Sequence, residues 1–142
     1  MIARTSPPPS TVTAELEIDV PLAQAFAWFA AAANLPSWTG FFLRVDPAGT
    51  DGHHRALSLV GMITTWIETT GEGERRDIDI CSLIRGRTER ARLTLDSCST
   101  ARTHVSFTVT VLHPESEAAL EVQRARMEYE LAAARRILEL AA

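Results

Sequence analysis

Residues Pro114–Leu140 read PESEAALEVQRARMEYELAAARRILEL, and this stretch decides the fold. It has no glycine or proline after Pro114 and consists mostly of Ala, Glu, Arg and Leu, which are strong helix formers. Pro114 suits the first helical turn, because its missing N–H would have no intrahelical partner there anyway. The stretch therefore predicts a helix that is on the order of 40 Å long, at about 1.5 Å per residue.

Apolar residues recur along this helix at steps of seven, four and three, so they form one stripe. The stripe consists of Leu120, Met127, Leu131, Ala134, Leu138 and Ala141. The helix carries three Arg–Glu pairs, one of which is Arg126 and Glu130. In each pair the arginine comes first, which is the weaker order, so we expect the pairs to add little to the stability of the helix. An apolar stripe of this length needs a broad surface against it, and the rest of the chain must supply that surface.

The chain has 142 residues, a net charge of −4 and 46% hydrophobic residues. This composition predicts one globular domain, residues 11–142, after a disordered tail, residues 1–10. An acidic chain argues against nucleic acid as a partner, because a phosphate backbone requires a basic surface. No apolar run reaches the about 18 residues of a membrane span, and residues 1–10 lack the apolar core of a signal peptide. We therefore expect a cytoplasmic protein.

Alternation of apolar and polar residues predicts a first strand, Thr11–Asp19. Pro21 opens a short helical region, and a second strand is expected near Phe42–Val45. Five further segments read as strands: Arg55–Val60, Met62–Thr70, Arg75–Leu83, Thr88–Ser97 and Thr103–Leu112. The order of elements predicts an α+β fold in which a curved antiparallel sheet of about seven strands wraps around the C-terminal helix, with two short helices after the first strand. A gap between sheet and helix would form a cavity.

The alternation also predicts which strand residues lie side by side. Hairpins centred near Gly86 and Thr100 give three inward rows: Ile78, Leu95 and Val105; Ile80, Leu93 and Phe107; Ser82, Ala91 and Val109. The strand Met62–Thr70 stays open between two registers. In one register Ile63, Thr65 and Ile67 face inward, and in the other Thr64, Trp66 and Glu68 do.

Residues 18–26 read IDVPLAQAF, in which a strand runs through Pro21 into a helix with Phe26 five positions later. Trp38 follows seventeen residues after Pro21, Trp66 lies on a strand before a glycine-containing turn, and the final helix is rich in Arg and Ala. In these features and in its order of elements, the chain resembles the START-like superfamily, also called SRPBCC, Bet v 1-like or helix-grip. It is most similar to the polyketide cyclase/dehydrase branch.

The chain departs from that family pattern at Ala31, where an acidic residue is common, and at Arg102-Thr103, where a Gly-Thr turn is common. The resemblance implies a pocket for a hydrophobic ligand such as a lipid, sterol, quinone or polyketide. It implies no single activity, because one fold serves many functions. Three functions stay open: a carrier or sensor of a small hydrophobic molecule, a polyketide cyclase/dehydrase-like enzyme acting on an aromatic or polyketide precursor, and a co-chaperone-type interaction protein.

We expect the ligand-binding residues to be Trp38, Trp66, Glu68, Ile80, Phe107, Met127 and Leu131. The apolar members could equally be ordinary core residues. The family resemblance favours Trp66 facing the pocket, and Glu68 would then share its face. A carboxylate walled by apolar side chains has a raised pKa and could act as general acid or base. In the other register Glu68 is solvated on the convex face.

Neither a metal nor a cofactor is expected. His53 and His54 are adjacent on a turn and have no third ligand nearby, and the chain has no Gly-rich phosphate loop. Cys81 and Cys98 lie too far apart in the predicted register for a disulfide, so we expect two free thiols.

A second, thinner apolar strip lies opposite the main stripe of the final helix. It consists of Val122, Tyr129, Ala133 and Leu140. Either the short N-terminal helices partly cover it or it is a homodimer interface.

Overall fold

The computed structural model describes residues 9–141 of the chain. Its strands are β1 (Ser10–Ile18), β2 (Phe42–Val45), β3 (His54–Ser58), β4 (Gly61–Thr70), β5 (Arg75–Ile84), β6 (Arg87–Ser99) and β7 (Arg102–Val111). Its helices are α1 (Leu22–Phe29), α2 (Leu35–Trp38) and α3 (Glu117–Ala141), with a short 3-10 turn at Ala32–Asn34. The predicted N-terminal tail lies outside the described residues except for its last two, and Ser10 already belongs to β1.

One antiparallel sheet contains all seven described strands, in the order β1-β7-β6-β5-β4-β3-β2. Strands β2 to β7 form a meander, and β1 pairs with β7 along its whole length. The sheet curves around α3, which packs mainly against β1 and also contacts β7 and α2. This is the α+β helix-grip architecture that the order of elements predicts.

The predicted register of β6 with β7 is confirmed. Leu95 lies opposite Val105 and Leu93 lies opposite Phe107. The predicted register of β5 with β6 is wrong by two residues, since Ile78 pairs with Leu93. The cause is the turn: Arg85 and Gly86 both have positive φ, which makes a two-residue hairpin centred one residue earlier than predicted. A shift of two residues keeps every side chain on its predicted face.

The structure also decides the register of β4. Thr65 lies opposite Ser82 and Ile67 lies opposite Ile80, so the inward set on β4 is the one that begins with Ile63. Trp66 lies opposite Cys81 on the outer face. The expectation that Trp66 and Glu68 face the interior is therefore wrong. The Gly71–Glu74 turn contains no extra residue that would shift the pairing by one position and so reverse the two faces of β4.

Helix α3 begins three residues later than predicted. The hydroxyl of Ser116 accepts a hydrogen bond of 3.1 Å from the backbone N–H of Ala119, so Ser116 caps the helix. The buried residues of α3 are Met127, Glu130, Leu131, Ala134 and Leu138. They match the central part of the predicted stripe and add Glu130 to it.

The second strip of α3 is not covered by α1 or α2. Val122, Tyr129 and Leu140 are among the most exposed large apolar side chains of the described chain. A homodimer through this strip stays a prediction. No helix among residues 9–141 is both long enough and apolar enough to cross a membrane.

Candidate functional site

Five of the seven predicted ligand-binding residues lie in the interior between the sheet and α3. They are Trp38, Ile80, Phe107, Met127 and Leu131, and each is at most 6% exposed. Ile80 lies on β5, Phe107 lies on β7, Met127 and Leu131 lie on α3, and Trp38 is the last residue of α2. All five belong to one continuous apolar cluster. The structure thus brings these residues together, and ligand contact by them stays a prediction.

Trp38 is at the centre of an aromatic group. Its ring meets the rings of Phe29 and Phe107 edge to face, with centroids 5.4 and 5.3 Å away. Edge-to-face pairs at this distance add to the stability that burial gives. Pro36 lies in the first turn of α2 and Thr39 ends the helix in an extended conformation, so the buried Trp38 is its last residue.

The indole N–H of Trp38 is buried and has no hydrogen-bond acceptor within the described chain. It is the only buried side-chain N or O atom there of which this is true. Leaving a buried donor unpaired costs about 1–3 kcal/mol. Such unpaired buried groups are rare in native structures. The interior therefore offers one polar contact to a molecule that carries an acceptor.

Glu130 is the one acidic side chain of α3 that is buried. Its Oε2 accepts a hydrogen bond of 2.7 Å from the backbone N–H of Gly40, in the loop between α2 and β2. Burial raises the pKa of this carboxyl, and the Gly40 N–H and the charge of Arg126 offset part of the rise. Sequence reasoning missed Glu130, although it lies three residues after Met127 and four before Ala134, on the apolar stripe.

Interior hydroxyl groups are satisfied by protein acceptors. Thr65 Oγ1 donates to the carbonyl of Cys81 at 2.7 Å and lies 3.2 Å from the hydroxyl of Ser82. Thr103 Oγ1 donates to the carbonyl of Val20 at 2.9 Å. These bonds hold strands together, so a ligand would have to displace them to use these hydroxyls.

Glu68 lies on the outer face, where its side chain is 46% exposed. It accepts hydrogen bonds from the indole N–H of Trp66 at 2.8 Å and from Arg90 at 3.1 Å. These two donors, Trp66 first, hold the pKa of the Glu68 carboxyl below its usual value. A carboxylate stabilised in its ionised form on the convex surface is a poor general acid for chemistry in the interior.

The same outer face carries an ion pair and a buried thiol. Arg92 donates to both carboxylate oxygens of Asp79, at 2.8 and 2.9 Å. The thiol of Cys81 lies 3.3 Å from Arg90 Nη1 and is covered by its neighbours. Burial raises the pKa of this thiol to about 11. Both described cysteines are free, as predicted.

Of the adjacent histidines, His53 lies against this outer face, whereas His54 lies opposite Thr65 on the inward side of the sheet. His53 stacks on Trp66 with ring centroids 4.5 Å apart, and His54 Nδ1 lies 2.8 Å from the carbonyl of Asp46. Within residues 9–141, no three His, Cys, Asp or Glu side chains gather in metal-binding geometry.

Two depressions stand out on the described surface, and one of them touches the interior cluster, at Val12. One, of about 360 Å³, is lined by residues that include Glu17, Cys98 and Arg102. The other, of about 390 Å³, lies between β1 and the start of α3. The side chains under α3 pack against one another in this conformation. A ligand would enter only if some of them moved aside.

No protein-family model and no curated protein sequence matches the chain. Solved structures do match. A START superfamily protein from Mycobacterium smegmatis is 11% identical with a TM-score of 0.72, and the match covers 93% of this chain and 99% of that one. Truncated norcoclaurine synthase from Thalictrum flavum is 12% identical with a TM-score of 0.61, over 96% and 98% of the two chains.

A third match is the di-domain ARO/CYC protein BexL from the BE-7585A biosynthetic pathway. It is 17% identical with a TM-score of 0.65, and the match covers 92% of this chain and 47% of that one. Identities this low establish the fold and leave activity open. The seven-stranded curved sheet, the long final helix and these likenesses show that the chain has the START-like, SRPBCC or helix-grip, fold.

Proposed function

We propose that the protein binds a small hydrophobic molecule with a hydrogen-bond acceptor in the interior between the sheet and α3, as a carrier or sensor. The observation that carries this proposal is the buried indole N–H of Trp38, which has no acceptor within the described chain. An acceptor on the ligand would remove the cost of that unpaired donor. The surrounding wall is apolar, as in most small-molecule sites.

The contact between Gly40 and Glu130 suggests where the molecule enters. Gly40 is exposed, Trp38 lies two residues before it, and the hydrogen bond to Glu130 joins Gly40 to α3. Movement of this loop away from α3 would uncover Trp38 without breaking the sheet. Met127 has a flexible side chain that can repack around a guest molecule.

A matched pair of probes tests the proposal: 2-acetylnaphthalene, which carries a carbonyl acceptor, and 2-ethylnaphthalene, which has the same carbon skeleton and no acceptor. We expect the wild-type protein to bind the ketone about tenfold more tightly in equilibrium dialysis, since an acceptor satisfies the buried N–H. Trp38→Phe should abolish this preference. Trp66→Phe, which changes an indole on the outer face, is the control and should retain it.

The proposal is wrong if neither probe binds, or if Trp38→Phe keeps the preference for the ketone. Native mass spectrometry of the purified protein gives independent evidence, since a retained cellular ligand would appear as added mass. The mass should disappear after denaturation.

A polyketide cyclase/dehydrase-like enzyme is the second candidate, and Glu130 is the observation that favours it. Among the described carboxylates, it combines burial with a raised pKa, which favours the protonated form that a general acid needs. Glu68, which the sequence favoured for this role, is on the outer face. Glu130→Gln should then leave probe binding unchanged and abolish turnover of the true substrate. Unchanged turnover would exclude this candidate.

A further inference from the structure

Exposed apolar side chains are concentrated at one end of the sheet. The described chain has eight exposed large apolar residues, and five lie here: Leu43, Leu59, Val60, Met62 and Leu83. Leu59 and Val60 form the turn between β3 and β4 and are 65% and 50% exposed. A cluster of this kind is more than the scattered apolar residues that any surface carries, and it marks an interaction site. We call these five residues the apolar tip.

The strand pairing brings the apolar tip together. Ser58 pairs with Gly61 on either side of the turn, and the backbone N–H of Leu59 donates to the carbonyl of Phe41 at 3.0 Å. This bond fixes the turn beside β2, which carries Leu43. Leu83 lies opposite Thr64 on the neighbouring strand, two residues from Met62.

A second turn, Arg85-Gly86, lies level with the apolar tip. Continuing the pairing of Thr64 with Leu83 places Arg85 beside Met62. Adjacent strands are about 5 Å apart, so the two turns project from the same end of the sheet. Within the described chain, Arg85 and Arg87 are in no ion pair, whereas Arg44 on β2 and Arg90 on β6 are paired with acids.

Charge at this end is opposite in sign to that of the whole protein. Residues 54–65 and 80–89 contain three arginines and one acidic residue, Glu89, in a chain of net charge −4. Apolar side chains at a protruding turn, flanked by free arginines, have the composition of elements that lie in a membrane interface. The arginines would reach anionic headgroups while the apolar side chains enter the acyl boundary.

We propose that this end of the sheet docks the protein on membranes that contain anionic lipids. The docking surface is the apolar tip with Arg85 and Arg87. Membrane docking depends only on this surface, so it is independent of ligand binding in the interior.

Vesicle sedimentation with the full chain tests the proposal. We expect the protein to bind vesicles of an equal mixture of phosphatidylcholine and phosphatidylglycerol, to bind pure phosphatidylcholine much less, and to dissociate as salt is added. Leu59→Ser combined with Val60→Ser should weaken binding about tenfold or more, because the inserted apolar area is lost. Arg85→Asn combined with Arg87→Gln should weaken it at least about fivefold. Asn is chosen because it tolerates the positive φ of residue 85.

Two double variants on α3 are matched controls. Val122→Ser with Leu140→Ser removes exposed apolar groups elsewhere, and Arg135→Gln with Arg136→Gln removes the same charge elsewhere. Both should bind as the wild type does. Equal losses in controls and tip variants would overturn the proposal, as would equal binding to the two kinds of vesicle or none to either. A dimer that Leu59→Ser with Val60→Ser dissociates, without vesicle binding, would instead assign the tip to self-association and also overturn it.

Discussion

Glu130, in the middle of α3, accepts a 2.7 Å hydrogen bond from the backbone N–H of Gly40, ninety residues earlier in the chain. This bond joins the loop after α2 to the helix that the sheet surrounds. It also places a carboxylate at the border of an apolar interior. The loop and the helix therefore meet through a titratable group.

Glu130→Gln should raise stability at neutral pH and change it little in acid. Burial raises the folded-state pKa of Glu130 above its ordinary value of 4.5. A raised carboxyl pKa favours the folded state below the unfolded value, and this contribution is lost as pH rises through the folded value. Glutamine keeps a neutral acceptor for Gly40 at every pH. Urea unfolding of both proteins at several pH values measures the difference, and a constant difference would contradict this account.

The two thiols should react at different rates in the folded protein. Cys98 is exposed, while Cys81 is buried and its thiol pKa is raised to about 11, so little reactive thiolate forms there. An aromatic disulfide reagent near neutral pH should modify one thiol quickly and the second only slowly. In denaturant both should react quickly. Cys98→Ser should remove the fast phase, and a fast phase that survives would contradict the burial of Cys81.

Asp79→Ala should destabilise the protein by about 1.5–3 kcal/mol, because it leaves Arg92 without its two charge-assisted hydrogen bonds. The control is Asp96→Ala, which removes an exposed pair at 4.0 Å and should cost less than about 1 kcal/mol. The Arg92 bonds lower the folded-state pKa of Asp79 below 3.8. The cost should therefore be full above pH 3.8 and shrink as pH falls through the folded value.

Leu131→Ala should cost about 2–5 kcal/mol, since the side chain is fully buried under α3 and its removal leaves a cavity. Leu140→Ala, at an 81% exposed position on the same helix, should cost little. Urea unfolding compares them. If the two substitutions cost the same, α3 would not pack against the sheet as described.

Sequence patterns predicted most of the fold because they are local. The stripe through Met127 and Leu131 and the alternation in the strands follow from fixed helix and strand periods. They identified the helix, the number of strands and the inward set on β5, β6 and β7. Two-residue periodicity also explains why the β5 register could be wrong while Ile78 and Ile80 still faced inward.

Family resemblance predicted the site less well, because it placed Trp66 and Glu68 by analogy. On β4, apolar and polar residues occur on both faces, so alternation alone did not choose between Ile67 and Trp66. The pairing of Thr65 with Ser82 made the choice, and it depends on the geometry of the Gly71–Glu74 turn and on the neighbouring strand.

The sequence by itself determined that the chain has an apolar helix stripe, alternating strands and a group of residues, including Trp38 and Phe107, that belong together inside. Only the tertiary structure decided that Glu68 lies outside, that Glu130 is buried against Gly40, and that the indole N–H of Trp38 has no acceptor in the described chain. The physical reason is the distance along the chain over which each property is determined. Periods of 2 and 3.6 residues are fixed by the local backbone, whereas burial of one polar atom depends on groups that are distant in sequence and meet only in the folded chain.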